Sequence, residues 1–363
     1  MNPIKVMLVD DSAIVRQHLA KLLTAAGIEV IGAASDPLFA MQRMKQQWPD
    51  VLVLDVEMPR MDGISFLKQI MAERPTPVVM CSTLTEKGGQ TTMQAMSAGA
   101  VGFITKPKLG LKNFLEDDGN GIVAAVKAAA KANLGALRRT LPSTTAPRPV
   151  VTSPTADAMI ETTDRVIAIG ISTGGVQTIE AVLTRLPRTV PGMLIVQHMP
   201  PNFTASLASR LSTLCDLDVQ EAQDGTRVIN GRVLFAPGGR HMRLKRSGAQ
   251  YVVEVFDGPT FNHHRPSVDV LFKSVAACAG RNAIGVVMTG MGSDGMLGAK
   301  DLVARKNSAV LAQEPDTCIV DGMPSSAINA GLASAVLGPK ELGMRLSRLC
   351  AARPLSSPLR PTA

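Results

Sequence analysis

Short apolar runs rich in β-branched residues alternate with helical stretches through the first third of the chain. This alternation is typical of strands and helices that follow one another in a parallel, doubly wound sheet. The runs are Lys5–Val9, Glu29–Ala33, Val51–Leu54, Val78–Cys81 and Gly102–Ile104. We therefore predict a first α/β domain with five parallel strands over residues 4–125.

A second series of apolar runs predicts another mostly parallel, Rossmann-like α/β domain over residues 164–350. The runs are Val166–Ile169, Met193–Gln197, Arg232–Ala236, Tyr251–Phe256, Ala283–Thr289 and Ala309–Gln313, with helical patterns at 176–186, 202–213 and 267–279. Most of these runs are continuously apolar, as expected of strands buried on both faces. The run Tyr251–Phe256 alternates instead, which indicates a hairpin or an edge strand.

The two domains are separated by a segment of different composition. An Ala- and Lys-rich helix end gives way after about residue 141 to Pro, Thr and Ser with little apolar periodicity. Such composition is typical of a flexible linker. We assign residues 126–163 to the linker and 351–363 to a C-terminal tail.

Composition excludes several classes of protein. Of the 363 residues, 45% are hydrophobic and 19% are charged, as in a globular protein. The net charge of +8 is spread along the chain, and one Trp and one Tyr leave little for base stacking, so nucleic acid is not an expected partner.

The five cysteines lack metal-binding spacing and are expected to be buried thiols. Without a leader or an apolar run of 18 residues, we expect a cytoplasmic location and no stable membrane insertion.

Acidic residues follow the first and third predicted strands. Asp10 and Asp11 come after Val9, and Asp55 after Leu54, while Ser82 and Lys106 follow the fourth and fifth strands. The carboxyl ends of parallel strands meet at one edge of the sheet. Three carboxylates there would repel one another unless a hard cation such as Mg²⁺ neutralised them.

These residues lie in motifs that resemble the receiver domain of two-component response regulators, which has a flavodoxin-like fold. The motifs are Leu8-Val-Asp-Asp-Ser12, Leu54-Asp-Val-Glu-Met-Pro59 and Lys106-Pro107. The resemblance implies that Asp55 accepts phosphate from a histidine kinase and that Lys106 pairs with the phosphoryl group. It implies a Mg²⁺ site to which Asp10 and Asp11 contribute, with Asp11, Asp55 and the Glu57 backbone as ligands. It also implies a switch hydroxyl after strand four, at Ser82 or at Thr83, and turns such as Lys106-Pro107 favour a cis peptide.

The stretch Gly170-Ile-Ser172-Thr-Gly174 breaks an apolar strand abruptly before a helical pattern. A serine between two glycines at such a turn has an uncrowded hydroxyl, and the following helix start offers free N–H groups to an oxyanion. Glycine-rich turns of this kind also bind phosphate. However, Ser172 replaces the second glycine of a dinucleotide fingerprint, and Val176-Gln177 replaces the Lys-Ser/Thr of a Walker loop.

Two further polar residues follow strands in the second domain. His198 comes after the run ending at Gln197, and Asp294 lies in the loop after the run ending at Thr289. At one edge of a parallel sheet they can be neighbours of Ser172. A hydroxyl, an imidazole and a carboxylate together form a hydrolytic triad. The order Ser, His, Asp differs from the Ser, Asp, His order of α/β-hydrolases, and each residue alone has an ordinary loop or helix-cap interpretation.

Several motifs of this domain, in order, resemble the catalytic domain of chemotaxis protein-glutamate methylesterases, the CheB family. They are Gly170-Ile-Ser-Thr-Gly-Gly175, Gln197-His-Met-Pro-Pro201, Pro237-Gly-Gly-Arg-His-Met242, Arg265-Pro-Ser-Val-Asp269 and Thr289-Gly-Met-Gly-Ser-Asp-Gly295. The resemblance implies Ser172 as nucleophile, His198 as base and Asp294 as orienting acid. It implies that Thr173 and the Met291 backbone N–H support the oxyanion, and that this step needs no metal.

The implied substrates are methylated glutamates, and selected glutamines, on the cytoplasmic helices of methyl-accepting chemoreceptors. Methanol would be released from the ester, and phosphorylation would activate the enzyme. His241, His263 and His264 are expected to be structural or to contact substrate.

Two other functions compete with this interpretation. A response regulator can carry a DNA-binding output, but about 190 residues rich in strands are too many for a helix-turn-helix module. A non-catalytic adaptor is the second alternative. It would have no need to keep Ser172, His198 and Asp294 together.

Overall fold

The computed structural model describes residues 3–58, 60–82, 86–106, 120–140, 165–306 and 308–348. The chain divides into two compact units, residues 1–141 and 142–363. Each unit is described by itself below.

The first unit is a five-stranded parallel sheet with the strand order β2-β1-β3-β4-β5. Its strands are β1 Lys5–Val9, β2 Glu29–Ala34, β3 Val51–Asp55, β4 Val78–Ser82 and β5 Gly102–Thr105. The helices are α1 Ala13–Ala25, α2 Pro37–Gln46, α3 Gly63–Glu73, α4 Glu86–Ser97, α5 Asn120–Ala129 and α6 Leu134–Thr140. The predicted receiver-like α/β fold is confirmed. Ser12 caps the start of helix α1, and its hydroxyl accepts the Val15 N–H at 3.4 Å.

The predicted linker begins too early. Helix α5 ends at Ala129 and α6 covers Leu134–Thr140, so residues 126–140 belong to the first unit. Val126 and Leu137 are fully buried, because the apolar face of this Ala-rich stretch packs into the unit instead of facing water. The rest of the predicted linker and the tail lie outside the described residues.

The second unit contains a larger sheet with the strand order β14-β13-β12-β6-β7-β9-β8, in which all neighbours are parallel. Its strands are β6 Val166–Ile171, β7 Gly192–Gln197, β8 Asp218–Glu221, β9 Arg232–Phe235, β12 Ala283–Val287, β13 Ala309–Gln313 and β14 Ala335–Leu337. Strands β10 His241–Ser247 and β11 Gln250–Phe256 form an antiparallel hairpin. The helices are α7 Gly175–Leu183, α8 Phe203–Leu214, α9 Val268–Ala279, α10 Met296–Val303, α11 Gly322–Asn329 and α12 Pro339–Arg348.

The centre of this sheet positions the candidate site. Strands β12, β6 and β7 are adjacent, and every residue of each is buried. Helix α9 packs over them and against the hairpin through side chains such as Leu271 and Phe272. The loops that leave the carboxyl ends of β12, β6 and β7 therefore start from a rigid, fully covered support.

The described cysteines are free thiols. Cys81, Cys215 and Cys318 are buried and Cys278 is half-buried, while Cys350 lies outside the described residues. Within the described ranges, every helix is too short or too polar to traverse a bilayer.

Candidate active site and phosphoacceptor pocket

Ser172 is the first residue after β6, at a tight turn into α7. Its N–H donates to the Thr289 carbonyl at 2.9 Å, and its own carbonyl accepts the Gly175 N–H at 2.8 Å. Gly174 precedes the helix with φ of +78°, a left-handed conformation that glycine adopts without strain. The turn leaves the Ser172 side chain half-buried at the edge of the sheet.

His198 occupies the corresponding position on the neighbouring strand. Ile171 of β6 pairs with Gln197 of β7, so Ser172 and His198 both follow a paired position. The His198 N–H continues the ladder by donating to the Ile171 carbonyl at 3.1 Å. Because adjacent strands lie about 5 Å apart, the two backbones emerge side by side.

Asp294 joins His198 from the loop after β12. Its Oδ2 lies 2.8 Å from His198 Nε2 and accepts the Val268 N–H at 2.7 Å. Its Oδ1 accepts from the Ser267 hydroxyl at 2.9 Å and from the Asp269 N–H at 3.1 Å. Burial opposes ionisation of this carboxyl, but the bonds from His198 and the two N–H groups outweigh it and lower the pKa of Asp294 below its usual range.

The other ring nitrogen of His198 is left for the serine. Nδ1 is buried and has no hydrogen-bond partner among the described residues. With Nε2 on Asp294, Nδ1 is the atom that could take the Ser172 proton. Hydrogen bonds of this kind often form only when substrate is bound, so their absence in the described chain is compatible with catalysis.

Two backbone N–H groups are available near the serine. Neither Thr173 nor Met291 uses its N–H in a hydrogen bond within the described part of the chain. Thr173 is fixed through its carbonyl, which accepts the Thr289 hydroxyl at 2.9 Å, and Met291 is 37% exposed. The start of α7 next to Thr173 adds the positive end of a helix dipole.

The residues that hold the site together are not evident from the local sequence pattern. Gln197 donates through Nε2 to the Ser172 carbonyl at 2.9 Å, and the Thr289 hydroxyl bridges Thr173 and Val320. Ser267 caps α9 and donates to Asp294. For Gln197 and Thr289, the signal in the local residue pattern is a polar side chain at the end of an otherwise apolar run.

The other histidines of the second unit have different surroundings. His241 is buried and its Nε2 lies 2.9 Å from the Pro259 carbonyl oxygen, while His263 is exposed. His264 stacks on His198, with ring centroids 3.8 Å apart. Of the three, His264 is therefore the one in contact with the candidate triad.

The first unit brings three carboxylates together at its carboxyl edge. Oxygen atoms of Asp10, Asp11 and Asp55 all lie within 4.8 Å of one another. Lys106 Nζ lies 2.6 Å from Asp55 Oδ2 and 3.1 Å from Asp10 Oδ2. Burial raises the pKa of Asp55 to about 6, against the lowering effect of the Lys106 hydrogen bond.

This cluster suits a hard cation. Asp10 Oδ2 is buried, and apart from the ion pair with Lys106 at 3.1 Å it accepts no hydrogen bond of good geometry from the described residues, so it retains acceptor capacity that a metal ion would use. Carboxylate oxygens are the ligands that Mg²⁺ prefers. The Glu57 N–H, meanwhile, donates to Asp55 Oδ1 at 3.3 Å.

The hydroxyl after strand four lies at the same edge. Ser82 is buried and donates to the Gly88 carbonyl at 3.3 Å, while its own carbonyl accepts the Lys106 N–H at 2.7 Å. Thr83, the alternative switch residue, and Pro107 of the predicted cis peptide lie outside the described residues. The cis peptide that the structure shows is Arg265–Pro266.

A receiver fold followed by an α/β domain with Ser, His and Asp at its sheet edge defines a response regulator with a candidate hydrolytic output domain. Residues 6–111 match the response regulator receiver domain, and residues 167–346 match the CheB methylesterase family. The chain belongs to the CheB methylesterase family.

Individual relatives extend this match over almost the whole chain. A protein-glutamate methylesterase/protein-glutamine glutaminase of Albidiferax ferrireducens is 60% identical over 90% of this chain and 94% of its own. One from Shewanella denitrificans is 54% identical over 94% of this chain and 98% of its own. The crystal structure of the Thermotoga maritima CheB methylesterase catalytic domain is 37% identical, covers 51% of this chain and 98% of its own, and has a TM-score of 0.50.

Proposed function

We propose that this protein is a phosphorylation-activated protein-glutamate methylesterase that also deamidates selected glutamines on methyl-accepting chemoreceptors, and so provides adaptation in chemotaxis-type signalling. The observation that carries the proposal is the 2.8 Å contact between His198 Nε2 and Asp294 at the sheet edge where Ser172 also emerges. The relatives' names supply the substrate class.

In the proposed reaction Ser172 Oγ attacks the ester carbonyl while His198 Nδ1 takes its proton. Asp294 keeps the proton on Nε2 and stabilises the imidazolium. Collapse of the tetrahedral intermediate breaks the bond to the methoxy group, which leaves as methanol with the proton from His198. Water, activated by the same imidazole, then releases the glutamate and restores Ser172. With a glutamine side chain the leaving group is ammonia.

The oxyanion of the intermediate would be stabilised by N–H groups of Thr173 and Met291. Both are unused by the fold in the described chain, and donors fixed in advance stabilise developing charge without reorganisation. A phosphate-binding role for the same turn has less support, because no lysine or arginine is bonded at Ser172 or Thr173 in the described chain.

In the receiver, Asp55 would accept the phosphoryl group. Asp11, Asp55 and the Glu57 backbone, with support from Asp10, would hold Mg²⁺, whose charge neutralises the phosphoryl oxygens. Lys106, now bonded to Asp55, would pair with the phosphate, and the Ser82 hydroxyl would turn toward it.

The proposed partners follow from this chemistry. The phosphodonor would be a histidine kinase of the chemotaxis type, and the substrates would be the cytoplasmic helices of chemoreceptors. The reaction would accordingly take place in the cytoplasm. The alternative function, a non-catalytic adaptor, does not explain why His198 and Asp294 are hydrogen-bonded to each other.

The test is methanol release from methylated receptors in membranes by the full-length protein, with and without acetyl phosphate and Mg²⁺. We expect release that phosphodonor increases, loss of nearly all turnover in Ser172→Ala and His198→Ala, and no response to phosphodonor in Asp55→Asn. Full turnover by folded Ser172→Ala would refute the triad, and an unchanged phosphodonor response in Asp55→Asn would refute the acceptor.

A further inference from the structure

The ring of His264 lies flat against the ring of His198. The two centroids are 3.8 Å apart and the planes differ by 5°, which is a parallel stack. The His198 side chain is only 8% exposed. One face of the candidate base is thus covered by a second imidazole.

His264 is delivered by an unusual turn. Phe261 and His264 exchange both backbone hydrogen bonds, at 3.0 and 2.9 Å. Between them, Asn262 and His263 have φ of 50° and 64°, the pair of left-handed conformations that a type I′ turn requires. Two consecutive non-glycine residues in this region are uncommon, and such conformations persist where their surroundings fix them.

The turn is fixed to the same helix start that holds Asp294. Asn262 donates through Nδ2 to Asp269 Oδ2, and Asp269 Oδ1 accepts the Gly298 N–H at 2.6 Å. The Asp269 N–H in turn donates to Asp294 Oδ1. Asp269 is fully buried, so the link between the turn and the triad carboxylate is protected from water.

His198 needs such a support. In the part of the chain that the structure describes, its ring makes one hydrogen bond, at Nε2, and Nδ1 has no partner. With its covalent bond to Cβ and the contact at Nε2 as restraints, the ring can still rotate about the axis through these two points, which changes the direction in which Nδ1 points. A stacked neighbour removes this freedom without using a ring nitrogen.

We propose that His264 is a positioning residue that keeps the His198 imidazole in the plane in which Nδ1 can take the Ser172 proton. The inference rests on the proposed hydrolytic function. Burial lowers the pKa of His264 to about 4, so near pH 7 it is a neutral flat ring and not a second cation beside the base.

The experiment compares His264→Phe and His264→Ala in the full-length protein. Phe retains a flat ring and no nitrogen, whereas Ala removes the stack. His263→Asn is the matched control, because it changes the exposed neighbour in the same turn to a residue that tolerates a left-handed backbone. Each variant is assayed for methanol release and for the rate at which a fluorophosphonate labels Ser172, and its urea unfolding is measured.

We expect kcat of His264→Ala to fall by about 10- to 100-fold with KM within about 2-fold, since misplacement of a base by about 1 Å has effects of this size. Fluorophosphonate labelling should slow in parallel. His264→Phe should stay within about 3-fold of the wild type, and His263→Asn should match it.

Two results would overturn the inference. Unchanged kcat and labelling in His264→Ala would show that the stack does not position the base, and a loss in folded His264→Phe as large as in His264→Ala would show that the ring nitrogens matter. If the wild type labels at Ser172 in a His264-dependent manner but releases no methanol, the proposed substrate is wrong while the positioning role stands.

Discussion

Gly290 lies so close to Ser172 that a Cβ at position 290 would stand 2.7 Å from the Ser172 Cβ. The same atom would be 2.4 Å from Met323 Sδ. Met323 can move, but Ser172 is fixed by backbone bonds to Thr289 and Gly175. We expect Gly290→Ala to displace the serine, reduce kcat by about 10-fold or more and destabilise the unit by about 1–3 kcal/mol.

Methanol release and urea unfolding measure these two effects. Gly258→Ala is the control, because its Cβ would meet neighbours at 3.5 Å or more, which is ordinary contact. Equal kcat in Gly290→Ala and the wild type would contradict the close approach of this loop to Ser172, the proposed nucleophile.

The hydrogen bonds of Asp294 predict that it supports folding in addition to its proposed role in catalysis. Asp294 now accepts hydrogen bonds from Ser267, Val268 and Asp269. In Asp294→Asn, an NH₂ group replaces one carboxylate oxygen and would face some of these donors without accepting from them. We expect Asp294→Asn to lose about 2–4 kcal/mol of stability in addition to activity. Ser172→Ala should lose activity alone.

Urea unfolding of the two variants distinguishes these expectations. Because the folded pKa of Asp294 is lowered, its stabilising effect should be complete above the unfolded pKa of about 4 and should disappear as pH falls through the lower folded value. A wild-type unfolding midpoint for Asp294→Asn at pH 7 would show that the carboxylate is not needed by the fold.

The sequence predicted those strands whose burial is continuous. Strand β6 reads as an unbroken apolar run because both faces are covered. Strand β8 was missed because Val219 is its one buried residue, and β10 because its apolar alternation is limited to Met242 and Leu244 before three exposed polar residues. A short edge strand such as β8 depends on pairing with a strand further along the chain, which local pattern does not show.

The candidate site was predictable as far as strand ends specify it. Ser172, His198 and Asp294 each follow an apolar run, and parallel topology places such ends at one edge. The Thr289 bridge and the His264 stack depend instead on the order β12-β6-β7 and on a left-handed turn. Neither the register nor the turn has a signal in the local residue pattern strong enough to predict it.

Thr289 offers a test of that bridge. Its hydroxyl contacts the carbonyls of Thr173 and Val320 at 2.9 and 3.0 Å and accepts the Val320 N–H at 3.0 Å. Thr289→Val has nearly the same shape but leaves these buried groups unpaired, so we expect a loss of about 1–3 kcal/mol in urea unfolding and a lower kcat. Thr289→Ser retains the hydroxyl and should keep kcat near that of the wild type. A wild-type unfolding midpoint for Thr289→Val would contradict the bridge.

The acidic pocket around Asp55 predicts a dependence of stability on pH. Burial raises the pKa of Asp55 from 3.8 to about 6, with a further contribution from the nearby Asp10, so the folded receiver binds this proton more tightly than the unfolded chain. Stability must then fall as pH rises from about 4 to about 6 and stay lower above it. The full effect is at most roughly 3 kcal/mol. Asp55→Asn lacks this titration, so the wild type should lose stability relative to the variant over that interval.

The measurement is urea unfolding of the full-length protein in EDTA between pH 4 and 7.5. The stability derived from the receiver's transition is compared between the wild type and Asp55→Asn. Glu73→Gln, which changes an exposed carboxylate of the same unit, is the control and should parallel the wild type. Saturating Mg²⁺ should abolish most of the relative loss above pH 6, because the cation neutralises Asp11 and Asp55 in the folded state alone. Parallel curves for wild type and Asp55→Asn in EDTA would show that the carboxyl ionises without cost, and an unchanged loss in Mg²⁺ would contradict a cation site at these residues.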